Sequence, residues 1–572
     1  MTSVRKTPWI LACAVACLVG LVYDFSGYPL LDPDEGRNAE VAREMSVSGD
    51  LVLPRLNAVP YLDKPALYFA VGAVTMKVLG PTAFAARLPS LLFTIATVLI
   101  LAWFGRRLFG SDGAWTATVT TAATPFAIAY GRTVIFDSAL TFFVVLALVG
   151  FYVSIEIFER QVEAGRSSGR PRGEWWTTLA WGAMAFGVLT KGPVALAIPL
   201  MVALPFSIWR RAWRALADPI SILLFLAVIT PWVLAISREV PDFLHYALIT
   251  ETARRLTTDE FQRSGPLWYF VAVLPAAALP WTFVLIGAWR ALREQRDRYG
   301  NLDGRIAYLL LWIAIPLLFF SISQSKRPQY VLPLVPAIGL LVAAAWRGHP
   351  QSHAGARTAA VGLAALGAFL IFASGVIGNL VHAGNAVAQA IPLPAMVLGA
   401  VCIMAAVCSW IGRRHRGILL LTLAMPVSVV PIAGSRLMDT IGSERSSLEI
   451  ARTLEQIGGS GTRVVAAAAF PLSLPFYLRQ TVILSTADGS ELTSNYLTRH
   501  FNTWSARSAT IRPPDYWHEA MTACNRPTAF VVRSDDEEKR TVLGAQLDLL
   551  LDTGKYAVYG PCGMTNLADA IR

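Results

Sequence analysis

Charge is scarce in this sequence. Only 15% of its 572 residues are Asp, Glu, Lys or Arg, against 55% that are hydrophobic, and mean hydropathy is +0.50. A soluble globular chain does not carry that balance. A P-loop is missing, and so is a glycine-rich dinucleotide fingerprint after a strand, which excludes the usual nucleotide-binding modules. No long internal repeat or low-complexity segment is evident. The weak alternation of a membrane β-barrel is absent too, because the apolar residues come in continuous runs.

Those runs are what the chain has instead. Leu88 to Phe104, Phe136 to Ile155, Ile220 to Ile236, Trp268 to Trp289, Ile306 to Phe320, Ala359 to Leu380 and Pro392 to Ile411 are each of a length that suits a membrane helix. The net charge of +11 sits in short gaps between runs: Arg5-Lys6, Arg106-Arg107, Arg160 to Arg172, Arg210-Arg211 with Arg214, Arg290 to Arg305, Arg347 to Arg357, and Arg413-Arg414 with Arg416. Basic clusters in every second gap follow the positive-inside pattern and give no reason to invoke nucleic acid. Helices satisfying this alternation run near 8–23, 87–105, 114–131, 135–157, 176–190, 192–209, 219–237, 266–289, 306–322, 329–346, 358–380, 392–412 and 417–434. About thirteen spans are therefore expected. An odd number puts the N-terminus in the cytoplasm and the C-terminus outside. The first helix is expected to be a retained anchor, since no small-residue cleavage site precedes Asp24.

The expected organisation is a transmembrane domain over 1–434 and an extracytoplasmic α/β domain over 435–572. Within the first, 24–86 and 238–265 are expected as outer loops. Cys13, Cys17, Cys402 and Cys408 lie in membrane segments as packing residues. Cys524 and Cys562 lie in the exported tail, whose oxidising compartment permits a disulfide between them. The tail reads as strands near Arg463–Ala468, Thr481–Ser485, Ala529–Val532 and Ala557–Tyr559, with helices over Ser447–Ile457 and Lys539–Leu551.

The first outer loop opens with Leu31-Asp32-Pro33-Asp34-Glu35-Gly36-Arg37, an acidic cluster at the exit of a membrane helix. Ionisable residues at that boundary usually pair, bind or react. Asp32 as N-cap, Pro33 at the first helical position and Glu35 in a capping-box position account for two acids structurally. Asp34 has no such duty and lies one turn from Arg37. A helix is expected to run from here to Gly49-Asp50. Pro60-Tyr61-Leu62-Asp63-Lys64-Pro65 holds an acid–base pair between prolines, and residues 66–79 read as a short interfacial or re-entrant helix.

Cations recur at outer helix ends, in Thr190-Lys191-Gly192-Pro193 and Ser325-Lys326-Arg327-Pro328-Gln329-Tyr330. The positive-inside rule disfavours them there, and converging Lys and Arg suit a phosphate headgroup. A carboxylate beside a lipid phosphate points to group transfer, with Asp34 as base or orienting group. Asp63 and His245 are both normal divalent-metal ligands and form a candidate metal pair, zinc or another ion.

These motifs resemble a known family. Asp32-Pro33-Asp34-Glu35-Gly36-Arg37-Asn38-Ala39-Glu40, Ser48-Gly49-Asp50 and Asp63-Lys64-Pro65 are similar to the first loop of bacterial lipid-carrier-dependent glycosyltransferases of the protein O-mannosyltransferase superfamily. Within it, the likeness is greatest to the 4-amino-4-deoxy-L-arabinose transferases of lipid A. Thr190-Lys191-Gly192, Pro231-Trp232, Phe243-Leu244-His245-Tyr246, Trp268-Tyr269, Leu279-Pro280-Trp281 and Pro316 to Ser321 continue it.

The resemblance implies a GT-C membrane fold and inverting transfer of a sugar from a polyprenyl (undecaprenyl) phosphate to lipid A, at the outer face of a bacterial inner membrane. It implies Asp34 as the catalytic aspartate, Arg37, Tyr61, Lys64, Lys326 and Tyr330 around the phosphate, where the converging cations add Lys191, and Asp63 with His245 at a metal. Membrane lipids are implied as surroundings, with no nucleotide and no nucleic acid. The chain departs in having Asp63 before Lys-Pro where Glu is usual, and Gly36-Arg37-Asn38 where the aminoarabinose enzymes tend to have Thr-Arg-Tyr. A protein O-mannosyltransferase or another envelope-glycan transferase is the alternative within the class. A lipid-linked-sugar transporter is the alternative outside it, disfavoured because ionisable groups concentrate on one face and not at mid-membrane.

Overall fold

A computed structural model of the chain describes residues 7–165, 174–254, 264–296, 300–347, 353–380, 386–458 and 461–563. It divides into two compact units. One comprises residues 1–25 and 89–437, the other residues 26–88 and 438–572. The first outer loop, expected within the membrane domain, is thus built into one unit with the tail.

The first unit is helical, and the apolar segments of the sequence are helices over most of their lengths. Among the described residues, eight helices are long and apolar enough to cross a membrane. A ninth candidate is Tyr269–Ala277 with Trp281–Arg293, two helices bent by 100° at the break around Pro280. Thr7–Val22, Leu67–Leu79 and Val194–Trp209 are apolar but shorter. The chain is a multi-pass membrane protein.

The helices differ sharply in burial. The apolar stretch of Asp137–Glu163 is 89% buried and that of Trp213–Glu239 only 11%. The former is a central helix and the latter offers its apolar surface to lipid. With no water in a bilayer core, polar atoms freed at helix breaks need protein partners. Buried aromatics supply them: Trp281 Nε1 donates to the Ala123 carbonyl (2.8 Å) and Trp312 Nε1 to Pro333 (2.9 Å). Arg132 closes the end of helix Thr7–Val22 by donating to the carbonyls of Tyr23 (2.6 Å) and Asp24 (3.1 Å).

The second unit begins with helix Asp34–Ser48, which ends where Gly49 turns left-handed (φ 73°) and donates to Met45. A two-residue hairpin follows, β1 (Arg55–Leu56) against β2 (Val59–Pro60), and then helix Leu67–Leu79. Val47, Leu51, Val74, Val78 and Leu79 stay exposed, an apolar surface suited to a lipid interface.

The tail forms a six-stranded mixed sheet of β3 (Arg463–Ala467), β4 (Ile483–Ser485), β5 (Ile511–Arg512), β6 (Thr528–Arg533), β7 (Leu549–Asp552) and β8 (Tyr556–Cys562), in the order β5-β4-β3-β6-β8-β7. β8 is antiparallel to both its neighbours, and the other pairs are parallel. Val465, Phe530, Val532, Ala557 and Tyr559 pack with Trp517, Met521 and Leu543 into its core. Cys524 and Cys562 form a disulfide. The expected helix over Lys539–Leu551 is shorter: it spans Glu537–Gly544, and the apolar run after Asp548 becomes β7. Three leucines in a row carry no period, and pairing with β8 decides the matter.

Candidate active site

The acidic cluster resolves into three different environments. Asp32 does not cap the helix. Helix Asp34–Ser48 starts after Pro33 without a side-chain cap, and the Asp32 Oδ2 accepts instead from the hydroxyls of Ser447 (3.1 Å) and Ser473 (3.0 Å). Its Oδ1 is buried without a hydrogen-bond partner. Burial pushes the carboxyl up to about 6, against the opposing pull of the serine hydrogen bonds. Gly36 permits this approach, since a Cβ there would collide with Asp32 Oδ1 and lie 2.7 Å from the Ser473 Cβ.

Glu35 does not close the expected capping box, since the Asp32 N–H donates to the Arg445 carbonyl (2.6 Å); Glu35 accepts instead from the Leu31 N–H at 3.1 Å. It is also half of a buried ion pair, with both oxygens 2.9 Å from the Arg87 guanidinium. Glu40 is fully buried and bound bidentately by Arg43 (2.6 and 2.7 Å). These acids have structural partners on every side.

Asp34 differs. Its side chain keeps 37% exposure, and it pairs with Arg37 Nη2 at 2.5 Å. Arg37 is nearly buried, stands 5.8 Å from the Tyr61 ring, and donates through Nη1 to Thr493 Oγ1 (2.7 Å) and to the Thr493 carbonyl (3.4 Å). Its Nε is buried with no partner. Burial works against its charge, but Tyr61, Asp34 and Asp63 outweigh that and hold the guanidinium above its ordinary range. Asp63 accepts from the N–H groups of Asn495 and Tyr496, both at 3.0 Å, and so caps helix Asn495–Arg499. Lys64 is partly exposed and donates to the Asp63 carbonyl at 2.5 Å. Five predicted residues, Asp34, Arg37, Tyr61, Asp63 and Lys64, thus belong to the second unit.

Lys191, Lys326, Tyr330 and His245 belong to the first unit. Helix Glu174–Lys191 stops where Gly192 takes φ 87°, which leaves Lys191 at the helix end. There it forms an ion pair with Asp137, which is 2% exposed, and lies 5.2 Å from the Tyr330 ring. Tyr330 stacks on Phe270 at 6.1 Å, and Lys326 lies 5.6 Å from that same ring. Lys326 Nζ donates to the carbonyls of Ser323 (2.6 Å), Ser321 (2.7 Å) and Phe320 (3.4 Å). Burial holds its ammonium below the usual lysine range. His245 is exposed, at the end of the short helix Phe243–His245. Residues 255–263 of the second loop, Arg255 among them, lie outside the described residues. Among the described residues, no three His, Cys, Asp or Glu side chains group as metal ligands.

Sequence reasoning missed Asp137 as the partner of Lys191, and Thr493 as the partner of Arg37. Asp137 had a signal, an acid at the head of a strongly apolar run. Thr493 had none.

Known proteins are similar to this chain in sequence and in fold. Residues 32–247 match the family described as dolichyl-phosphate-mannose-protein mannosyltransferase. Two curated relatives are named undecaprenyl phosphate-alpha-4-amino-4-deoxy-L-arabinose arabinosyl transferase. The one from Erwinia tasmaniensis is 32% identical over 357 residues, 61% of this chain and 60% of the relative. The one from Pseudomonas paraeruginosa is 32% identical over 342 residues, 59% of each. The matched stretch therefore spans about 60% of the length of such relatives.

The crystal structure of ArnT from Cupriavidus metallidurans bound to undecaprenyl phosphate superposes with a TM-score of 0.82 at 23% identity, covering 99% of both chains. Its apo state gives 0.79 at 24% identity. This is the GT-C fold, with a strand-containing C-terminal region. Over residues 32–247 the sequence is similar to the mannosyltransferase family, and the whole chain has the fold of the Cupriavidus structure.

Proposed function

We propose that this protein transfers 4-amino-4-deoxy-L-arabinose from an undecaprenyl phosphate carrier to lipid A, with inversion, at the outer face of a bacterial inner membrane. The observation that carries the reading is the Asp34–Arg37–Tyr61 group. It is a partly exposed carboxylate beside a fixed, nearly buried guanidinium, in a loop where the other acids are engaged structurally. The names of the relatives and the ligand of the Cupriavidus structure support the donor and the sugar.

Arg37 and Lys64 bind the donor phosphate and take up charge as the anomeric C–O bond breaks. The acceptor oxygen attacks the opposite face of the anomeric carbon, and the polyprenyl phosphate departs with the bonding electrons. Asp34 takes the proton of a hydroxyl acceptor. A lipid A phosphate is already ionised, and Asp34 then orients it. Lys191 and Lys326 hold protein partners, as Arg37 and Lys64 do. A divalent ion at Asp63 and His245 would have to share Asp63 with its helix cap. Elemental analysis of the purified protein tests for it.

Mass spectrometry of lipid A from a null strain, with and without this gene, tests the function. One added aminopentose per modified phosphate is expected. An unchanged lipid A together with a hexose on exported protein would instead support the protein mannosyltransferase reading.

A further inference from the structure

Thr493 is built in an unusual way. Its backbone is left-handed (φ 52°, ψ 31°), and it is the one β-branched residue at positive φ among the described residues. Such a conformation is an outlier for threonine and persists only where the surroundings impose it. Core packing does not impose it, since the residue is exposed.

The turn before it does. Thr486 Oγ1 accepts from Gly489 N–H (3.0 Å) and donates to Glu491 (2.7 Å), Asp488 accepts from Ser490 N–H (2.9 Å), and Gly489 is itself left-handed (φ 71°). This turn presents two acceptors of Thr493, hydroxyl and carbonyl, to one nitrogen of Arg37. The next three residues bind Asp63, through the N–H groups of Asn495 and Tyr496 at 3.0 Å and the Ser494 hydroxyl at 3.5 Å. Four consecutive residues of the tail thus hold two candidate-site residues of the first loop. Asn57 anchors the same loop to Val482, the residue before β4, donating to its carbonyl (2.8 Å) and accepting from its N–H (2.9 Å).

We infer that Thr493-Ser494-Asn495-Tyr496 is a positioning clamp for the transfer reaction, with Thr493 as the residue that aligns Arg37 beside Asp34. This rests on the transferase reading above. A guanidinium with a buried, unpartnered Nε is held in a single pose by its two Nη groups alone. Releasing Nη1 lets the charge swing away from the donor phosphate, while Arg37 itself remains present.

The test uses the full-length protein in detergent, with undecaprenyl phosphate binding and sugar transfer measured separately. Thr493→Gly removes the hydroxyl and suits the left-handed backbone, so the melting temperature should hold or rise. Undecaprenyl phosphate binding should weaken about tenfold, and kcat/KM should fall at least as far. Thr493→Ser, which keeps the hydroxyl, should recover activity to within about threefold of wild type. Because Thr493 acts through Arg37, the double variant Arg37→Ala/Thr493→Gly should be no worse than Arg37→Ala alone.

Binding and transfer by Thr493→Gly within twofold of wild type would overturn the clamp, as would full multiplication of the two losses in the double variant. Should wild type bind undecaprenyl phosphate yet transfer no sugar, the transferase reading fails, and the binding arm still decides the clamp. Loss of binding in Thr493→Gly without rescue by Thr493→Ser would reduce the residue to a folding role.

Discussion

Charge serves different ends in the two units. In the first, the cations at the helix ends are already answered: Lys191 by Asp137, Lys326 by three carbonyls. In the second, Glu35, Glu40 and Asp63 are answered in the same way, yet Asp34 keeps more than a third of its side chain exposed and Lys64 is partly exposed. The contrast teaches that a charge at a membrane boundary is a poor signal alone. Its partners and remaining exposure separate a reacting group from a structural one.

The sharpest test of that contrast replaces Asp34. Asp34→Asn keeps size and shape and removes the charge, so transfer should fall about a thousandfold or more. Fold should survive, because the carboxylate is not a buried structural partner. Turnover near wild type would place the reaction elsewhere and erase the distinction between Asp34 and the structural acids.

The opposite behaviour is expected one residue on. Arg87→Met leaves the Glu35 carboxylate buried without its guanidinium, which costs about 3–5 kcal/mol. Limited proteolysis and thermal melting in detergent should show a destabilised protein, with activity lost only as fold is lost. A stable but inactive Arg87→Met protein would move Glu35 from the structural to the reacting class.

How much of this was legible depends on range. Helices of the first unit were readable because their apolar runs far exceed the length of a strand. Within the acidic cluster, capping logic pointed to a local role for Glu35, and its bond to the Leu31 N–H is local, four residues apart, though it is not the capping box expected. The same logic failed for Asp32, whose serine partners lie 415 and 441 residues away. Nothing local announces such a partner. Asp137 and Lys191 are 54 residues apart and met the same obstacle. The hold of Thr493 on Arg37 spans 456 residues and was invisible for that reason.

Asp32 gives a pH test of the second unit. Its folded-state carboxyl is raised to about 6, above its ordinary value of 3.8, because burial disfavours the anion. In that window the native protein binds more protons than the unfolded chain, so stability falls as pH rises from about 4 to 6. The whole effect amounts to ~3 kcal/mol. Wild type should melt lower at pH 8 than at pH 5 by more than Asp32→Asn does. Equal pH slopes in the two proteins would mean that Asp32 stays ionised and answered, like its neighbours.

The smallest expected effect compares two lysines across the units. Lys64→Ala removes a partly exposed ammonium of the first loop, and should weaken undecaprenyl phosphate binding about tenfold, roughly 1.4 kcal/mol. Turnover at saturating donor should change less, because the lost contact is made in the ground state as well as the transition state. Lys326→Met is the counterpart. Its ammonium donates to three backbone carbonyls, so the variant orphans those acceptors and should lower the melting temperature. Donor affinity of the folded fraction should stay within about twofold, since no donor of Lys326 is given up to a ligand. If Lys326→Met instead lost donor affinity as Lys64→Ala does while melting normally, its carbonyl contacts would be a resting arrangement that the phosphate displaces. The cations of the first unit would then count as phosphate-binding groups themselves.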